Sequence, residues 1–253
     1  MTFEPLLELR GITRVFPDGN RALDGVDLEI PSGECLLIAG SNGSGKTVLM
    51  RILAALMEPS GGTALFRGRD AGEAGKSLRR EVGIVFQDAD SQFVGETAEE
   101  DIAFGPANLG LDKEETALRV ASALERTGLT PKRNFPPRRL SGGEKRRLAV
   151  AGVLAMGSTT LIMDEPFANL DWPGVLQVLH IIRDLKKEGA TLIILTHELE
   201  KVLALADRLV ILHRGRVRDD GKPGEVLDRL RPEYGVRDPR RPYRTVEDCS
   251  WLG

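Results

Sequence analysis

The run Gly40-Ser41-Asn42-Gly43-Ser44-Gly45-Lys46-Thr47 narrows the possible folds of this chain more than any other feature. A short apolar stretch at 34–39 precedes it, and helix-forming residues at 47–56 follow it up to Glu58-Pro59. Strand, glycine-rich loop and helix in that order make a phosphate-binding turn. Glycines let successive backbone N–H groups point into the loop, where with the helix N-terminus they cradle phosphate oxygens. Gly40, Ser41, Asn42, Gly43, Ser44 and Gly45 would build the cradle. Lys46 would reach the β- and γ-phosphates, and the Thr47 hydroxyl would ligate Mg²⁺, a hard ion that takes oxygen ligands.

A second motif completes the chemistry. Leu161-Ile162-Met163-Asp164-Glu165 is an apolar strand ending in two adjacent carboxylates, and ligands of open α/β sheets bind at the carboxyl edge of the strands. Asp164 is expected in the Mg²⁺ shell, and Glu165 is expected to take a proton from the water that attacks the γ-phosphorus. Short buried-type strands recur at 82–86, 161–163, 192–195 and 209–212, separated by helical stretches. That alternation predicts an α/β fold with a parallel sheet covered on both faces.

Around this core, residues 6–31 alternate apolar and polar about Phe16-Pro17-Asp18-Gly19-Asn20, which predicts a hairpin and a small antiparallel β layer. Residues 98–128, with the helix begun by Ser141, read as a helical subdomain of about 96–158 inside a domain of 1–221. The stretch 173–188 reads as an amphipathic helix burying Val175, Leu176, Leu179, Ile182 and Leu185. After Gly221 periodicity fades except at 225–230, and Arg229, Arg231, Arg237, Arg240, Arg241 and Arg244 accumulate. Residues 222–253 therefore read as a loosely packed basic tail.

Composition excludes several classes. A formal charge of -3 lacks the basic excess of a nucleic-acid binder, so no nucleic-acid partner is expected. Cys35 and Cys249 have no metal-ligand spacing and fit a reducing compartment. No apolar run approaches the roughly 20 residues of a membrane helix. Acidic Glu4 and Glu8 stand where a signal peptide would carry a basic segment, so a cytoplasmic location is expected.

With Leu140-Ser141-Gly142-Gly143-Glu144 ahead of the Asp164-Glu165 strand, the set resembles the ABC ATPase family, whose signature is a Leu-Ser-Gly-Gly-Gln type loop. The resemblance runs from about Leu6 to Leu227. It implies ATP as the nucleotide and a head-to-tail dimer in which Ser141, Gly142 and Gly143 meet the ATP of the opposite subunit. Phe16 stands where the family stacks an aromatic on adenine, although a place in the hairpin core is the plainer alternative. Gln87 matches a loop glutamine that senses Mg²⁺ and links the site to the membrane partner. Asp171 matches a loop crossing the dimer interface, and His197 matches the histidine that contacts the γ-phosphate. Glu144 departs from the signature glutamine.

A finer resemblance lies in Val85-Phe86-Gln87-Asp88-Ala89-Asp90-Ser91-Gln92-Phe93 and in residues 99–110. These are similar to the ATPases of energy-coupling-factor importers, which take up vitamins such as biotin or metals such as cobalt and nickel. The implied partners are a second ATPase, the same or related, a transmembrane coupling protein and a substrate-binding membrane protein. The implied location is peripheral, on the cytoplasmic face of the membrane. Two other readings stay open: an ATPase of another ABC transporter, and a soluble ABC ATPase acting on nucleic acid or ribosomes.

Overall fold

The computed structural model describes residues 4–240, so Cys249, Arg241 and Arg244 lie outside the described residues. Strands β1 (Leu7–Val15) and β2 (Arg21–Ile30) form the antiparallel hairpin about the turn at 16–20. Two further strands, β4 (Gly61–Phe66) and β5 (Arg69–Asp70), extend it to a four-stranded sheet of order β2-β1-β4-β5. A paired glycine start hid β4 from a reading by strand propensity. Gly62 is required there: at φ 86° a Cβ would lie 2.5 Å from the Gly11 carbonyl oxygen of β1.

The second sheet has six strands in the order β10-β9-β3-β8-β7-β6. They are β3 (Cys35–Ala39), β6 (Val82–Val85), β7 (Thr160–Asp164), β8 (Thr191–Thr196), β9 (Arg208–His213) and β10 (Arg216–Gly221). All pairings are parallel except β10 with β9. Side chains alternate between the two faces because successive Cβ atoms of a strand point opposite ways. Leu36, Ile38, Ile193, Leu195, Val210 and Leu212 join one core cluster with helix α1 (Lys46–Leu53) and the four-stranded sheet. Leu37, Ala39, Leu192, Ile194, Leu209 and Ile211 face the other way. There they meet α5 (Gly142–Ala155), α6 (Trp172–Lys187), α7 (Leu199–Val202) and α8 (Pro223–Asp228). The short α2 (Gly75–Glu81) leads into β6.

A third cluster joins α3 (Ala98–Asn108), α4 (Lys113–Arg126) and α5 through Ile102, Val120, Leu124, Leu148 and Ala151. Thr97, Asp112 and Ser141 cap these helices, each accepting a backbone N–H three residues on. Helix α5 belongs to both cores, since Val150 and Val153 pack toward the sheet. It lies hard on β6: a Cβ on Gly83 would sit 2.0 Å from Val153 Cγ1.

The structure departs from the sequence reading in three places. Helix α1 stops at Leu53, and Ala55 turns the chain at φ 51°. On α6, Leu176 is 37% exposed while Val178 and Ile181 are buried, so the apolar face is rotated from the one expected. The expected loose tail is the largest correction. Residues 223–236 close over the sheet, with Val226, Leu227, Tyr234 and Val236 buried in the core. Arginines spaced between these few apolar residues mask the pattern, and the Arg229 guanidinium pairs with Asp219 of β10 at 2.7 Å.

Candidate functional site

Sheet order assembles the site. Strand β3 lies beside β8, and β8 beside β7, so the loop after Ala39, the carboxylates after Met163 and the histidine after Thr196 leave the same edge side by side. A cavity of about 620 Å³ opens there. Phe16, Asn42, Gly43, Ser44, Gly45, Lys46, Thr47, Gln87, Asp164, Glu165 and His197 all line it.

The loop has the form an anion needs. Gly43 and Gly45 hold φ of 79° and 105°, and a Cβ on Gly45 would be 2.6 Å from the Ala22 carbonyl oxygen. Helix α1 opens on Gly45 with no side-chain cap, so its first N–H groups stay available for a phosphate. Gly40 and Ser41 stand below the cavity, where their carbonyl oxygens accept bonds from Lys46 Nζ at 2.7 and 3.3 Å. Turn β9–β10 braces the loop: Gly215 N donates to Ser44 O at 2.9 Å, and Gly215 O accepts from Asp24 N of β2 at 2.8 Å.

The Thr47 hydroxyl donates to Asp164 Oδ2 at 2.8 Å, and Asp164 Oδ1 is buried without a hydrogen-bond partner. Burial pushes the Asp164 carboxyl above its ordinary range, the Thr47 hydroxyl opposes this, and the Glu165 charge adds to it. Glu165 stands at φ 45°, a left-handed conformation that costs a non-glycine residue about 1–3 kcal/mol. Its carboxylate is held on every side. Oε2 accepts from Thr196 Oγ1 at 2.8 Å, while Oε1 lies 2.9 Å from His197 Nδ1 and 3.5 Å from Lys46 Nζ. The His197 side chain remains 47% exposed and so reachable from the cavity. Phe16 is half-buried outside the hydrophobic clusters, with the Arg14 guanidinium 5.1 Å from its ring centroid.

Four expected residues are elsewhere. Ser141, Gly142, Gly143 and Asp171 do not line this cavity. They form a second group where α5 and α6 begin: a Cβ on Gly143 would lie 3.2 Å from Gly174 Cα, and one on Gly142 would lie 3.4 Å from Asn169 O. Asp171 caps α6 by accepting from Gly174 N at 3.0 Å. Ser141 and Glu144 form a capping box in which Ser141 N donates to Glu144 Oε2 at 2.8 Å. The Ser141 N–H is thus already engaged, and its hydroxyl also bonds the Glu144 carboxylate. That N–H and Lys132 hold the Glu144 carboxyl below its usual range.

Asn20, Arg21, Ala22, Arg214 and Gly215 also line the cavity, and the sequence reading missed them. They come from the end of the hairpin turn, the start of β2 and the β9–β10 turn, and only the packing of both sheets against the loop puts them there.

The sequence profile of the ABC transporter family matches residues 23–168, more than half of the chain. The chain belongs to the ABC transporter family. It is an ATPase of the ATP-binding cassette type with the α/β architecture of that family. The cassette is 47% identical, over 216 residues, to the energy-coupling factor transporter ATP-binding protein EcfA1 of Symbiobacterium thermophilum; the match covers 83% of this chain and 75% of the relative. CbiO1 of Clostridium perfringens, described as part of the ABC transporter complex CbiONQ, superposes with a TM-score of 0.81 at 36% identity, covering 91% of this chain and 92% of that one. The dimeric cassette MJ0796 bound to ADP and Pi, a post-hydrolysis state, superposes with a TM-score of 0.76 at 26% identity, covering 86% and 98%. Among the described residues, no helix of the cassette is long and apolar enough to cross a membrane.

Proposed function

We propose that this chain is the ATP-hydrolysing subunit of a membrane importer of the energy-coupling-factor kind, working as a head-to-tail dimer with itself or a related ATPase. One observation carries the reading: the chain holds a full hydrolytic set in one cavity and a separate helix-start surface, Ser141 to Gly143 with Asp171, that touches none of it. A second cassette arranged head to tail would bring that surface to the nucleotide of the first. The dimeric cassette MJ0796 and the CbiONQ membership of CbiO1 support the same arrangement.

In this reading the phosphates of ATP lie on the N–H groups of residues 42–47. Lys46 Nζ leaves the Gly40 and Ser41 carbonyls for the β- and γ-oxygens, a short swing because those bonds are local to the loop. The unpartnered Asp164 Oδ1 and the Thr47 hydroxyl suit a hard cation, so they, with Gln87 nearby, would hold Mg²⁺. That ion would neutralise charge on the transferring phosphoryl group. Glu165 takes the proton of the attacking water, fixed by Thr196 and oriented with His197, which reaches the γ-phosphate from the open side. Phe16 stacks on adenine from the hairpin.

A groove of about 620 Å³ beside Gln87, lined by Asp90, Phe93, Glu96, Thr97, Pro136 and Arg138, suits the helices of a transmembrane coupling protein. A substrate-binding membrane protein then sets the cargo, a vitamin or a transition metal such as cobalt or nickel. The cassette works peripherally, on the cytoplasmic face.

Glu165→Gln tests the reading. Hydrolysis falls by about a thousandfold or more while ATP binding stays within about threefold, because the carboxylate is removed and the cradle is not. Purified from native membranes, this variant brings down multi-spanning membrane proteins. Surviving turnover rejects the base assignment, and ribosomal or DNA-bound partners reject the transporter reading.

A further inference from the structure

Two consecutive arginines of α5 are buried but serve different neighbours. Arg147 Nη1 donates to the Thr127 and Gly128 carbonyls at 2.7 and 3.2 Å, which ties α5 to the end of α4 inside the helical layer. Arg146, 4% exposed, crosses to the sheet instead. Its Nη1 donates to Phe86 O and its Nη2 to Gln87 O, the latter at 2.9 Å. These carbonyls belong to the chain just past β6, an edge strand that among the described residues pairs only on its β7 side, through Val85. The guanidinium fork takes both carbonyls at once, which an ammonium cannot do in the same geometry. Lys145 adds a neighbouring tie to the same loop, 2.6 Å from Asp90.

The arrangement is costly for its neighbourhood. Burial lowers the pKa of both guanidinium groups, offset at Arg146 in part by the charges of Asp164 and Asp88, and the Nε of each is buried with no partner, so what sets Arg146 apart is that its fork lands on the Phe86 and Gln87 carbonyls. A buried charge with an unsatisfied donor is poorly justified by stability alone. What it supplies is position. Gln87 lines the nucleotide cavity, and the N-cap of α5, Ser141, stands five residues before Arg146 on the surface offered to a second cassette.

We propose that Arg146 is a positioning residue that locks Gln87 to the start of α5. A change at the γ-phosphate in one cavity thereby moves the Ser141–Gly143 surface presented to the partner's nucleotide. The inference rests on the proposed function, since it needs the head-to-tail dimer. It assigns to one side chain the link between the two halves of the composite site: tight within each chain, remade across the pair.

The test uses the full chain in the Glu165→Gln background, with MgATP-driven dimerisation followed by light scattering and ADP binding by the monomer followed by fluorescence. Arg146→Lys keeps the charge and the fold but loses the fork. It raises the ATP concentration for half-dimerisation by about tenfold, leaves ADP affinity within about twofold, and is non-additive with Gln87→Ala, the double variant being no worse than the more impaired single one. Arg147→Lys, also buried and on the same helix, is additive with Gln87→Ala. Additivity for Arg146, an unmoved midpoint, or a parallel loss of ADP binding overturns the proposal. If the Glu165→Gln parent stays monomeric in MgATP while Glu165→Gln still abolishes hydrolysis, the dimer reading fails and the inference falls with it.

Discussion

Glu144 is the residue at which this cassette departs from its family's usual glutamine. Its carboxylate accepts the Ser141 N–H and lies 3.4 Å from Lys132 Nζ, so in the monomer it is a well-served helix cap. In the proposed head-to-tail dimer the same carboxylate would stand beside a γ-phosphate, and two negative charges a few ångströms apart cost about 1 kcal/mol in water and more where water is excluded. Glutamine keeps an oxygen for the Ser141 N–H and removes the charge. Glu144→Gln is therefore expected to lower the ATP concentration for half-dimerisation by about threefold to tenfold, with thermal stability within about 1 kcal/mol of the parent. An unchanged midpoint in a titration at fixed Mg²⁺ would show that the carboxylate does not face the nucleotide.

At the scale of elements, the stretch past Gly221 matters more than its composition implies. Helix α8 puts Val226 and Leu227 against β9 and the second core cluster, and the turn at Pro232–Tyr234 follows it down to the phosphate loop. A Cβ on Gly235 would lie 2.9 Å from Ser41 Cβ, so this segment touches the loop from beneath. Leu227→Ala, at a site 4% exposed, is expected to cost about 2–5 kcal/mol in denaturant unfolding. A cost under about 0.5 kcal/mol, the usual range for an exposed position, would restore the loose-tail reading. The two core clusters on opposite faces of one sheet make such losses global, because β3, β7, β8 and β9 each contribute to both.

In the proposed head-to-tail pair each chain would supply half of each composite site from two separate places, so hydrolysis would be a property of pairs. In MgATP the Glu165→Gln protein is expected to run at twice the monomer mass, and in ADP at the monomer mass, because in the proposed dimer the γ-phosphate is what the second cassette's Ser141–Gly143 surface would contact. Trp172 is 71% exposed one residue past Asp171, next to that surface. Its quenching by iodide should fall when the dimer forms. Dimerisation that ignores the difference between ATP and ADP would count against a γ-phosphate bridge.

Much of this protein was legible in its residues. A strand of wholly buried apolar residues, glycines that must adopt left-handed backbone, and a lysine and threonine at the helix start make a phosphate loop by local chemistry alone, so Gly40 to Thr47 could be read without a fold. The carboxylates at Asp164 and Glu165 were readable for the same reason, since an apolar strand has to end at the sheet's edge. Other features depend on what packs against them. The order β3-β8-β7, which puts His197 2.9 Å from Glu165, is decided by long-range pairing that no local pattern encodes. Strand β4 needs β1, helix α8 needs the Leu209 and Ile211 face of β9, and Arg214 reaches the cavity only because its turn leans on the loop. Local chemistry determined what each segment can bind; the tertiary structure decided which segments meet, because burying both faces of one sheet selects among strand orders that the sequence leaves equally plausible.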